Sequence, residues 1–170
     1  MRILAIPGSL RANSSSNQVL HQIASFLPSS IEFIIYEGLK NIPAFDDSEI
    51  VPESVLHFKN LIKEADAVLI CTPEYAFGIP GALKNAIDWT VSSGELVEKP
   101  VALITASSQG EKGHAAMLNV LNALSTQTPP ETTLLISFIR AKLNNKGELK
   151  DQALLIEIKE VLNSLIALCK

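Results

Sequence analysis

Hydrophobic positions along the chain fall into two alternating rhythms. Short, nearly unbroken apolar or β-rich runs occupy Arg2–Ile6, Ile31–Tyr36, Asp66–Cys71, Pro100–Thr105 and Thr132–Phe138, and each is the length of a strand. Between them, apolar residues recur at helical spacing. Leu20, Ile23, Ala24 and Leu27 mark a helix closed by Pro28, and Val55, Leu56, Leu61 and Ile62 mark one that starts near Pro52. Further helices are expected from near Gly81, over about 115–125, and from about Leu149 to Leu168 after a turn at Asn144–Gly147. The segment EGLKNIPAFDDSEI (37–50) mixes Gly, Pro, Asp and Asn and reads as a long loop.

Five runs of strand alternating with five of helix predict βα units around a parallel sheet. Strands that are apolar throughout, without polar alternation, predict helices on both faces. The expected fold is therefore α/β, a three-layer, doubly wound, five-stranded parallel sheet in flavodoxin-like order 2-1-3-4-5, with its ligand crevice where strands one and three part. Repeats, low-complexity tracts and interdomain linkers are absent from the sequence, so residues 1–170 are expected to form a single domain.

Composition narrows the function classes. Hydrophobic residues at 47% and charged residues at 19% suit a packed globule. A formal net charge of -4 argues against a nucleic-acid footprint and a polybasic membrane patch. The start, MRILAIPGSL, lacks the long apolar core of a signal peptide, and no run approaches the ~18 apolar residues of a membrane span. The expectation is a cytoplasmic protein with no membrane and no nucleic-acid partner. Cys71 and Cys169 have no metal or redox spacing and are read as free thiols in preference to a disulfide.

The candidate chemistry sits in three loops that such a sheet brings to one edge. The first, GSLRANSSSN (Gly8–Asn17), combines a turn glycine, helix-capping Ser and Asn residues and Arg11, a set suited to a phosphate monoester. Neither G-x-x-x-x-G-K-[ST] nor G-x-G-x-x-G occurs, so neither a nucleoside-triphosphate loop nor a dinucleotide fingerprint is supported. The second loop, Thr72–Pro80, is stiffened by Pro73 and Pro80 and carries Glu74, Tyr75 and Phe77, which can border a flat ring. The third, Ala106–His114, offers small residues that admit a planar ligand close to the backbone. Each loop taken alone also reads as ordinary structure: a helix cap, a stiff turn, a connection. Together they suggest a flat heterocycle with a phosphate tail, the layout of FMN at a flavodoxin-like switch point.

GSLR followed by S-x-N, and PEYxxxxPGxLKNAIDW from Pro73 to Trp89, resemble the NADPH-dependent FMN reductase family, which includes quinone, chromate and azo-dye reductases. The resemblance runs from the first strand through the loop after the fourth. It implies bound FMN, NADPH or NADH as electron donor, a small-molecule electron acceptor, and homodimers or homotetramers with the site at a subunit interface. By position it implies a phosphate held by Ser9, Arg11, Ser15, Ser16 and Asn17. Pro73, Glu74, Tyr75, Ala76, Phe77 and Gly78 would border the ring, with Ser107, Ser108, Gln109 and Gly110 on its other side.

Three positions depart from the family pattern. Ala76 stands where Asn is usual, implying a lost side-chain contact near the flavin, and the Arg-to-Asn spacing of the first loop is one residue longer, leaving Ser14, Ser15 and Ser16 as alternative phosphate ligands. His114 replaces the second of a usual glycine pair and is read as a surface residue, with contact to substrate or nicotinamide as the alternative. His21 and His57 are expected to be structural or solvated, Lys84 and Asp88 to form a surface or interface pair, and Trp89 to be either core or a dimer contact. No metal-ligand cluster and no Ser-His-Asp or Cys-His set is present, so no side chain is assigned as acid, base or nucleophile. The reading is an NAD(P)H-dependent, FMN-containing oxidoreductase acting on quinone, azo, metal-oxyanion or free flavin acceptors. The alternatives are a non-enzymatic flavodoxin-like electron carrier, which would take up little hydride from nicotinamide, and a flavin-free interaction module.

Overall fold

A computed structural model describes residues 1–169. Its strands, β1 (Arg2–Pro7), β2 (Glu32–Ile35), β3 (Ala67–Thr72), β4 (Val101–Ala106) and β5 (Thr133–Ile136), form one sheet in the order β2-β1-β3-β4-β5. Every pairing is parallel. The helices are α1 (Ser15–Phe26), α2 (Glu53–Glu64), α3 (Gly81–Asp88), α4 (Glu111–Ala123), the single turn α5 (Ile139–Lys142) and α6 (Gln152–Leu168).

The continuous apolar runs resolve into two faces once the pleat is applied. Leu4, Ile6, Val68, Ile70, Val101 and Leu103 pack with Val55, Phe58 and Ile62 of α2, Leu83 and Ile87 of α3, and Met117 and Leu121 of α4. The alternate residues Ile3, Ala5, Ala67, Leu69, Ala102 and Ile104 pack with Val19, Leu20 and Ile23 of α1 and Leu154, Ile158 and Leu162 of α6. The sheet is thus a shared wall between two cores, and the carboxyl ends of β1, β3 and β4 emerge together at one edge.

Several boundaries move for identifiable reasons. Helix α4 starts at Glu111, ahead of the expected 115, because Gly110 at φ +99° serves as its cap and Gly113 lies inside the first turn. Helix α6 starts at Gln152 and not at Leu149. Asp151 caps it by accepting from the N–H groups of Ala153 (3.1 Å) and Leu154 (3.3 Å), while Leu149 forms an antiparallel bridge with Leu143. The 37–50 segment contains a 3-10 turn at Gly38–Asn41. Strand β5 stops at Ile136, short of the expected Phe138, since Phe138 takes φ +55° and turns the chain into α5.

Trp89 belongs to the core: it is buried, its Nε1 donates to the Pro43 carbonyl at 3.0 Å, and Phe45 meets its ring edge-on. Lys84 and Asp88 do pair, at 2.5 Å on the partly exposed side of α3, and such a pair contributes little to stability. His21 and His57 are exposed on α1 and α2, and Cys71 and Cys169 are free. No helix of the described residues is long and apolar enough to cross a membrane.

Candidate ligand site at the carboxyl edge of the sheet

The first loop leaves β1 under tight constraint. The Gly8 N–H donates to the Cys71 carbonyl at 2.8 Å, which draws the loop against the end of β3. At its far end Ser14 caps α1, its Oγ accepting from the Asn17 N–H at 3.2 Å and lying 3.1 Å from Ser16 Oγ. Ser14 and Ser16 are buried, whereas Ser15 has no side-chain hydrogen-bond partner among the described residues. That separates the three serines: Ser14 and Ser16 build the helix start, and Ser15 keeps its hydroxyl available. The Asn17 amide has partners within the loop itself. Nδ2 donates to the carbonyls of Arg11 (3.0 Å) and Ala12 (3.2 Å), so the side chain shapes the loop.

The second loop is a two-residue hairpin tip. Tyr75 and Gly78 exchange both backbone hydrogen bonds, at 3.0 and 2.9 Å, and the residues between them, Ala76 and Phe77, have φ of +48° and +61°. Positive φ at both central positions is the signature of a I′ turn, which favours Asn and Gly. The usual family Asn at position 76 therefore has a backbone reason, since Asn tolerates left-handed geometry that costs Ala about 1 kcal/mol or more. Ala76→Asn is accordingly expected to stabilise the flavin-free protein by roughly 0.5–1 kcal/mol, read as a raised denaturation midpoint. An unmoved midpoint would leave the flavin contact as the only reason for Asn. Phe77 is 63% exposed, with Lys112 Nζ 4.3 Å from its ring centre.

Glu74 and Ser107 fasten this loop to its neighbour. A carboxylate oxygen of Glu74 accepts from the Gly113 N–H at 2.6 Å, in the first turn of α4, where the helix dipole favours an anion. Gly113 leaves room for this contact, since a Cβ there would lie 3.0 Å from Glu74 and 3.1 Å from the Gly78 carbonyl, tight enough that one of them would have to shift. Ser107 Oγ accepts from the Glu74 N–H at 3.3 Å, and Ser9 Oγ lies 3.1 Å from the Tyr75 hydroxyl, tying the first loop to the second. His114 is partly buried and tethered to the sheet. Its Nδ1 is 2.8 Å from the buried Thr105 hydroxyl, and burial pushes its pKa below the usual imidazole value.

A small cleft of about 80 Å³ opens where the loops meet. It gathers Arg11, Ser15, Ser16, Pro73, Glu74, Tyr75, Ser107 and Ser108 of the expected residues. The remaining ones lie around it. Ser9 and Asn17 line a separate cavity of about 260 Å³ toward β2, and Ala76, Phe77 and Gly78 form the hairpin tip. Gln109 accepts at its carbonyl from Ser137 Oγ (2.8 Å), and Gly110 caps α4. Ser14, one of the three alternative serines, also lines the cleft, and three further lining residues, Ala106, Ile139 and Arg140, were not among the expected contacts. Ser14 was legible as a cap. Arg140 had no motif around it, because only the turn at Phe138 brings it to this edge.

The donor set fits a phosphate-bearing ligand. Two arginines and several serines line the cleft, three of those serines at the start of α1, and the one acidic residue lining it, Glu74, has its carboxylate already engaged by Gly113. No group of three or more metal-binding side chains occurs among the described residues.

Comparison with known proteins agrees. A model of the family described as NADPH-dependent FMN reductase matches residues 1–141. The chain is 31% identical over 175 residues to the NADH:(hydroxy)cinnamate reductase subunit CrdA of Vibrio ruber, covering 98% of this chain and 86% of that one. It is 36% identical over 121 residues to a quinone reductase of Escherichia coli K12, covering 68% of this chain and 64% of the relative. Among solved structures, FerB, a flavoenzyme NAD(P)H:(acceptor) oxidoreductase from Paracoccus denitrificans, superposes with a TM-score of 0.86 at 25% identity, over 99% of this chain and 96% of that one.

Proposed function

The chain belongs to the NADPH-dependent FMN reductase family, and from that premise we propose that residues 1–170 form a single FMN-binding domain of an NAD(P)H-dependent oxidoreductase. Its acceptors are small molecules: quinones, azo compounds, metal oxyanions or free flavin. The observation that carries the reading is the meeting of the anion-binding loop of Arg11 and Ser15 with the stiff wall Pro73–Tyr75 in one cleft at the β1/β3 parting.

When bound, FMN supplies the redox chemistry, accepting hydride from NADH or NADPH and delivering electrons to the acceptor. The chain's own residues bind and orient. Arg11, Ser15 and the N–H groups at the start of α1 hold the phosphate, with Ser9 and Ser16 buttressing that loop. Pro73, Glu74, Tyr75 and Ala76 border the ring, and Ser107 and Ser108 face it. Glu74, held by the Gly113 N–H, sets the position of this wall.

Exposed Leu10, Tyr75, Phe77 and Phe138 rim the loops that form the cleft. This supports a homodimer or homotetramer in which a second copy covers the site, and a monomeric flavin-loaded protein by sedimentation would exclude it.

The test of function is direct. The purified protein, loaded with FMN, is expected to show flavin absorption bands and to oxidise NADH or NADPH when a quinone is added. A colourless protein that fails to bind added FMN would sink the flavin reading. Bound FMN without nicotinamide oxidation would leave an electron carrier.

A further inference from the structure

The sequence contains three arginines, and two of them meet in one cleft. Arg2, the third, is paired at the opposite end of the sheet with Glu32 (2.9 Å) and Glu64 (2.8 Å). Arg11 and Arg140 have no carboxylate partner among the described residues, although acidic side chains outnumber Lys and Arg by 18 to 14. Two uncompensated guanidiniums lining one small cleft repel each other, an arrangement that an anionic ligand relieves.

The backbone shows how Arg140 is delivered there. Phe138 at φ +55° reverses the chain after β5, and the N–H groups of Phe138 and Ile139 donate to the carbonyls of Ser108 and Ser107, both at 3.1 Å. Ile139 is buried and pins the turn to the core. The short α5 is thereby bolted to the third loop, and Arg140 joins Arg11 in the lining of the same cleft. Its neighbour Lys142 takes a different task, pairing with Asp151 at 3.2 Å.

We propose that Arg140 is a second phosphate-binding cation and that, with Arg11, it sets the preference of this site for FMN over riboflavin. The inference rests on the flavin reading above. A phosphate monoester carries about -1.5 to -2 charges near pH 7, so one guanidinium leaves it undercompensated and two match it. Arginine suits the role because its rigid planar fork matches two phosphate oxygens at once, whereas lysine binds phosphate as a point charge. Riboflavin has the same ring and no phosphate, so only FMN should sense this residue.

The experiment compares FMN and riboflavin dissociation constants, by flavin fluorescence, for flavin-free wild type, Arg140→Ala and Arg140→Lys. Wild type is expected to prefer FMN. Arg140→Ala should weaken FMN binding by about 10-fold or more, as for loss of a charge-assisted hydrogen bond, and leave riboflavin unchanged. Arg140→Lys should recover part of the loss, and the salt dependence of FMN binding should be shallower in Arg140→Ala. Unchanged FMN affinity in Arg140→Ala, or equal loss for both flavins, would overturn the role of Arg140 while leaving the flavin site standing. If wild type binds neither flavin, the flavin reading fails and the role of Arg140 goes with it.

Discussion

Gly8→Ala is expected to destabilise the protein by about 3 kcal/mol, the upper end of what overpacking a rigid interior costs. A Cβ at this position would sit 2.5 Å from Thr72 Cβ and 2.9 Å from Thr72 Cα, distances that real side chains do not sustain. The obstruction cannot step aside. Thr72 is buried, its hydroxyl donates to the Pro73 carbonyl at 3.0 Å, and its backbone is paired with Thr105 of β4. On the other side, Pro7 is registered against Cys71, and the Gly8 N–H is itself committed to the Cys71 carbonyl. For a chain of this size each kcal/mol moves the melting midpoint by roughly 2–4 °C, so a fall of about 6–12 °C is expected in thermal denaturation. A midpoint equal to wild type would show that β1 and β3 part more easily than their register implies. FMN affinity should fall as well, because the same displacement moves the loop that presents Arg11.

Arg11→Ala should weaken FMN binding by roughly 1.5–3 kcal/mol, the range for charge-assisted hydrogen bonds, which corresponds to about 12- to 150-fold in dissociation constant. The side chain is exposed and has no ion-pair partner among the described residues, so the denaturation midpoint of the flavin-free protein should stay within the ~0.5 kcal/mol typical of surface changes. That separation of binding from stability distinguishes Arg11 from Gly8. Unchanged FMN affinity would remove Arg11 from the phosphate site.

Much of the fold was legible because its signals are local. Apolar runs of strand length, a proline after Leu27 and a change of rhythm at each boundary identify five strands and the five principal helices without knowledge of what they touch. The sequence says least where a residue's role is set by a distant partner. Gly110 and Gly113 read as loop residues, yet one caps α4 and the other lies within it so that Glu74 can approach. Asn17 reads as a ligand residue by motif position, while its amide is used to close the loop on the carbonyls of Arg11 and Ala12. Ala76 reads as a missing flavin contact, whereas its φ of +48° makes it first a backbone matter.

By itself the sequence determined the class of fold, the three loops that meet at one edge of the sheet and the family, since each of these rests on spacing within a short stretch. Tertiary structure alone decided which of those residues share a cleft. Ser9 and Asn17 line a neighbouring cavity, Glu74 is bound to a helix start, and Arg140 arrives from beyond β5. The physical reason is that a binding site is a matter of convergence. Periodicity along a chain fixes the face on which a residue lies, but convergence depends on sheet register and on single turns such as the one at Phe138, whose left-handed geometry no propensity of Phe announces.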